Sequence, residues 1–131
     1  MRAPSASVAM LPMQQRVKQD FGGVTLVGYD AYRRGTAHAP ETPLSPGDLA
    51  HFTFYWQAPT TLPPDWPTDA TMTLRLGDAT LTAPLAGGAY PTAAWQPGEL
   101  VRGDFDLLFD GASRQPSLTV GDQAIELAKL P

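Results

Sequence analysis

Two groups of side chains in this sequence have the types and spacing to do chemistry. The first lies in Gly87-Gly88-Ala89-Tyr90-Pro91-Thr92-Ala93-Ala94-Trp95-Gln96-Pro97-Gly98-Glu99. Tyr and Trp present flat apolar faces with polar tips, and sugars stack their C–H faces on such rings. Neighbouring carboxylates and amides exchange hydrogen bonds with hydroxyls. Tyr90, Trp95, Gln96 and Glu99, with Trp66, are therefore the candidate ligand-binding residues, and a glycan is the candidate ligand. The same residues also suit a structural corner, in which Trp95 and Tyr90 plug one end of the fold while Pro91 and Pro97-Gly98 set turns. Large aromatics are usually buried, so the corner is the stronger of the two readings.

The second group is acidic. Asp104, Asp106 and Asp110 are expected on one face of a strand, with Gly111 following. Calcium favours several such oxygen ligands, but the spacing fails the calcium-loop pattern, and a solvated acidic face is commoner. A glycosidase pair would need two carboxyls about 5–9 Å apart across a cleft, one with a raised pKa. Nothing in the sequence buries one of them beside a groove. His38 and His51 have no ligand spacing and read as partly exposed side chains. There is no cysteine, which excludes thiol catalysis, thiolate metal sites and disulfides. No Gly-x-Ser-x-Gly, His-Glu-x-x-His or phosphate loop occurs. The expectation is a non-catalytic chain with no metal and no cofactor.

The elements that must position these residues read as short strands. Val17 to Phe21 suits an edge strand, and Val24 to Tyr32 is the first solid one. Its apolar residues fall on both alternation sets, which indicates burial on both sides or a bulge at Gly28. In Leu49 to Ala58, Ala50, Phe52, Phe54, Trp56 and Ala58 share one face and His51, Thr53, Tyr55 and Gln57 the other. Met72, Leu74 and Leu76 lead into the turn Gly77-Asp78, with Leu81, Ala83 and Leu85 on the return. Val101, Gly103, Phe105, Leu107 and Phe109 oppose Arg102, Asp104, Asp106 and Leu108. A last hairpin pairs Ser117–Val120 with Ala124–Leu127 across Gly121-Asp122. Seven or eight such strands and no long helix predict an all-β protein, a two-sheet antiparallel β-sandwich of immunoglobulin-like or jelly-roll-like kind. Residues 1–15 read as a flexible arm, with an apolar part too short and interrupted for a signal peptide, and 16–131 as one domain.

Composition agrees. At 131 residues, 43% hydrophobic and 17% charged, the chain can bury a core of its own. Fourteen Pro and twelve Gly, spread between apolar runs, supply turns. A formal charge of −4 with two lysines leaves no basic patch for nucleic acid. No apolar run approaches the ~20 residues of a membrane helix.

Several phrases occur in a recognisable order: Phe21-Gly22-Gly23, Leu26-Val27-Gly28-Tyr29-Asp30, Ser45-Pro46-Gly47-Asp48, Phe54-Tyr55-Trp56-Gln57-Ala58, and Gly88 to Glu99. Over about residues 16–110 the series resembles the extracytoplasmic β-sandwich module attached to bacterial multi-spanning membrane glycosyltransferases of the dolichyl-phosphate-mannose protein mannosyltransferase type. The resemblance implies an accessory domain with no assigned catalytic residues, an extracytoplasmic location, and a glycan or a membrane glycosyltransferase as partner. The chain departs from that pattern in having no membrane spans, in its clipped Gly-Asp hairpin turns, and in ending soon after the last hairpin. Any transferase activity would then belong to a region outside this sequence. The alternative function is a structural or protein-interaction module that docks through an exposed strand edge.

Overall fold

A computed structural model describes residues 13–88 and 90–131. The eight strands are β1 (Gln15–Phe21), β2 (Val24–Arg33), β3 (Leu49–Gln57), β4 (Thr71–Leu76), β5 (Ala79–Pro84), β6 (Leu100–Leu108), β7 (Ser117–Val120) and β8 (Gln123–Glu126). They form two antiparallel four-stranded sheets, ordered β1-β2-β3-β6 and β5-β4-β7-β8. The expected all-β sandwich is what the chain builds. The first three strands make a meander, and the chain then alternates between sheets. As a result β6 lies beside β3 and β7 beside β4.

The period-two pattern explains which face each strand buries. Ala50, Phe52, Phe54 and Trp56 of β3 have no exposed area, and Met72, Leu74, Leu76 and Leu118 face them from the second sheet. Phe52 and Phe54 stack at 5.9 Å, and Phe54 lies 5.9 Å from Trp56 and 6.1 Å from Phe105. Each fully buried aromatic stabilises the fold by about 1.5–3 kcal/mol relative to exposure. The indole Nε1–H of Trp56 would be orphaned in such a core. It donates to the Leu85 carbonyl at 3.1 Å. That carbonyl comes so close to β6 that a Cβ on Gly103 would sit 2.2 Å from it. Gly103 is the place where the chain after β5 presses on the first sheet.

A bulge, one of the two readings of the mixed alternation in β2, is present one residue before the expected Gly28. Leu26 pairs with Trp56 and Gly28 with Tyr55, so Val27 is the extra residue. A second bulge lies in β1 between Arg16 and Gln19, where Lys18 has φ 59°. The ends of β2, β3 and β6 differ from expectation by one residue each, and the first and last strands are also shifted. The edge strand starts at Gln15 rather than Val17, because Gln14 is already docked: its backbone N–H donates to Asp30 at 2.7 Å, and its side chain accepts from Ala31 N–H at 2.9 Å. The arm predicted over 1–15 therefore overlaps β1 at its end, and its residues 1–12 lie outside the described residues. The last return strand is Gln123–Glu126, one residue earlier than predicted.

Candidate functional site

The loop around Tyr90 is tied to the Pro-rich segment before β4 by one buried hydroxyl. Thr92, 1% exposed, opens a 3-10 turn over Thr92–Ala94. Its Oγ1 donates to the Pro67 carbonyl at 2.9 Å and accepts from Ala70 N–H at 3.0 Å. Its own carbonyl accepts the Trp66 indole N–H at 2.8 Å. Trp95 is 2% exposed, donates its indole N–H to the Tyr90 carbonyl at 3.0 Å, and packs on Trp66 with ring centroids 6.2 Å apart.

The remaining candidates are held as firmly. The Glu99 carboxylate accepts from Gln96 N–H at 2.7 Å and stands 2.7 and 3.0 Å from the Tyr90 hydroxyl. That carboxylate raises the Tyr90 phenol above its ordinary value, since losing the proton would set two negative oxygens together. The Gly98 and Ala58 amides donate to the Pro59 and Glu99 carbonyls and seal the turn against the end of β3.

The structure thus brings Trp66, Tyr90, Trp95, Gln96 and Glu99 together but turns their chemistry inward. Trp95 as a sugar-stacking platform is corrected, because its ring has no open face. Trp66 and Tyr90 are half-buried, with their polar tips occupied, and only Gln96 is exposed. Thr92, which pins the two loops together, had no sequence signal beyond its place between Pro91 and the alanines.

The acidic group is also rearranged. Asp104 and Asp106 project from the outer face of β6 as expected, but Asp110 lies beyond the end of that strand. It accepts the backbone N–H groups of Ala112 and Asp78, both at 2.9 Å, and these bonds hold its carboxyl below the ordinary carboxylate range. It braces the β4–β5 turn, where Gly77 has φ +63° and an added Cβ would meet Asp110 at 2.4 Å. The three carboxylates do not share a site. Among the described residues no group of three His, Asp or Glu side chains is placed to hold a metal.

In their place the register assembles an outer face on the first sheet. Tyr32 lies opposite His51 and His51 opposite Asp106; Asp30 lies opposite Thr53, Thr53 opposite Asp104, and Tyr55 opposite Arg102. His51, which sequence reasoning set aside, sits between two carboxylates, with Nδ1 2.8 Å from Asp106 and Nε2 3.2 Å from Asp104. Its ring lies 5.4 Å from that of Tyr32. Thr53 donates to Asp104 at 2.6 Å, and Arg102 forks onto Asp104 at 3.0 and 3.2 Å. Partial burial pushes the Asp104 carboxyl up, but the hydrogen bonds from Arg102, Thr53 and His51 outweigh it and leave the group below its usual value. Tyr55 donates to Asp30 at 2.9 Å and is pushed up to about 12, by burial first and by that carboxylate second. The pairing was legible only as a face shared by His51, Thr53 and Tyr55. Which acids stand opposite them is a matter of strand order. His38 is exposed in the loop after β2.

Compared with known protein families, curated proteins and solved structures, the chain matches none.

Proposed function

We propose that this chain is a non-catalytic accessory β-sandwich that binds glycan through the outer face of its first sheet. The observation that carries the reading is the row Tyr32, His51 and Tyr55, bordered by Asp30, Asp104, Asp106 and Arg102 across three adjacent strands. Half-buried rings offer a sugar its stacking surface, and the carboxylates and guanidinium, bonded to their neighbours in the free protein, would exchange those bonds for its hydroxyls. Asp104 does not suit the acid of a glycosidase pair. A glycosidase acid needs a raised pKa, whereas the surroundings of Asp104 lower it. An extracytoplasmic setting, and service to a cell-envelope mannosyltransferase-type enzyme, follow from the family resemblance and belong to the same proposal.

The test is an array of mannose-containing and other cell-envelope oligosaccharides, followed by NMR titration of any binder. Tyr32→Ala and His51→Ala should abolish binding in folded protein, and Tyr90→Phe should leave it unchanged. Binding by no oligosaccharide on the array, or loss confined to Tyr90→Phe, would refute the reading.

A second reading, protein docking through a strand edge, is favoured by β6. This edge strand runs nine residues in unbroken register with β3. The other edges are blunted: β1 is bulged, β5 ends in Pro84, and β8 has four residues.

A further inference from the structure

The strand β6 carries a more specific message in its side chains. We propose that β6 is a self-association edge: two copies pair antiparallel through it, centred on Gly103, and join their first sheets into one. The proposal rests on the strand-edge reading and names the occupant as a second copy of this chain.

The occupant follows from charge complementarity. Side chains alternate between faces, so a symmetric antiparallel pairing that keeps inner faces together must be centred on a residue. On the outer face β6 presents Leu100, Arg102, Asp104, Asp106 and Leu108. Centring on Arg102, Asp104 or Asp106 sets a like pair face to face, and centring on Phe105 sets Asp104 against Asp106. Centring on Gly103 places Arg102 of each copy opposite Asp104 of the other, with no like charges opposed. Directly opposed unlike charges stabilise a sheet and like charges destabilise it. On the inner face the same register sets Gly103 against Gly103 and Val101 against Phe105. Both outer partners are accessible, with Arg102 61% and Asp104 41% exposed in their side chains. Arg102 already bonds Asp104 along its own strand, so the guanidinium is oriented among carboxylates before a second copy arrives. A two-fold pairing of this kind is isologous and closes at two copies.

The experiment is sedimentation equilibrium on the full chain. The wild type should dimerise at high micromolar concentration. R102E and D104R should each weaken the dimer about tenfold or more, because each turns two attractive contacts into two repulsive ones. Mixing the two variants should restore it. In the mixed pair the introduced glutamate faces the introduced arginine, the remaining Asp104 faces the remaining Arg102, and the total charge equals that of the wild-type pair. The doubly exchanged R102E/D104R chain should dimerise alone, and thermal melts confirm folding. A monomeric wild type, or a mixture no tighter than its components, overturns self-association. Hydrogen exchange on the R102E monomer tests the underlying reading separately. Free-edge amides of β6 should exchange fast, and protection equal to that in β3 would show the edge already occupied and overturn strand docking itself.

Discussion

Gly103→Ala should destabilise this protein, against what local propensity suggests. Gly103 lies in a strand and is not among the glycines with positive φ. At such a position alanine ordinarily stabilises by about 0.4–1 kcal/mol, chiefly by restricting the unfolded chain. Here the added methyl would lie 2.2 Å from the Leu85 carbonyl and 3.0 Å from the Phe105 ring. Relief requires the Leu85 backbone to retreat by about 1 Å from a close-packed contact. Overpacking of this kind costs about 1–3 kcal/mol. The displaced carbonyl also accepts the Trp56 indole N–H, whose loss in a dry core costs about 1–3 kcal/mol more. The net expectation is a loss of about 2–5 kcal/mol, a large share of the 5–15 kcal/mol typical of a domain. For a chain of this size the melting temperature should fall by about 10 °C. Urea and thermal unfolding followed by circular dichroism measure the effect. A double-mutant cycle with Trp56→Phe isolates its cause, since in that background the indole bond is already gone and Gly103→Ala should cost about 1–3 kcal/mol less. An unchanged or higher melting temperature for Gly103→Ala, or strict additivity in the cycle, would refute the reasoning.

Three further outcomes are expected. Thr92→Val removes a hydroxyl that satisfies both Pro67 and Ala70, and should cost about 2–3 kcal/mol in urea unfolding despite conserving shape. Asp104 and Asp110 have carboxyls depressed below the ordinary value of 3.8, so their contribution is fully present above that value and disappears as pH falls through their lower folded values. Asp110→Asn should therefore lower the melting temperature at neutral pH and converge with wild type in strong acid. In an alkaline absorbance titration Tyr55 should ionise near pH 12, and Asp30→Asn should bring it part of the way back, because burial remains as the larger cause.

Much of the architecture follows from local pattern. Alternation along β3 and β6 names the inward residues from Ala50 to Trp56 and from Val101 to Phe109, because a strand can bury only every second side chain against one core. The Gly-Asp turns after Leu76 and Val120 mark hairpins, since glycine meets their positive φ without strain. The same sequence placed Tyr90, Trp95, Gln96 and Glu99 in one loop and offered Trp66, from the Pro-rich segment before β4, as a further candidate. Which way they face was decided by partners distant in sequence: Thr92 bonded to Pro67 and Ala70, and the Trp66 ring laid against Trp95. Likewise nothing local tells His51 that it will lie between Asp104 and Asp106, more than fifty residues on. That pairing exists because the chain crosses to the second sheet for β4 and β5 and returns beside β3. Periodicity fixes which side of a strand is wet, whereas strand order fixes which wet residues meet.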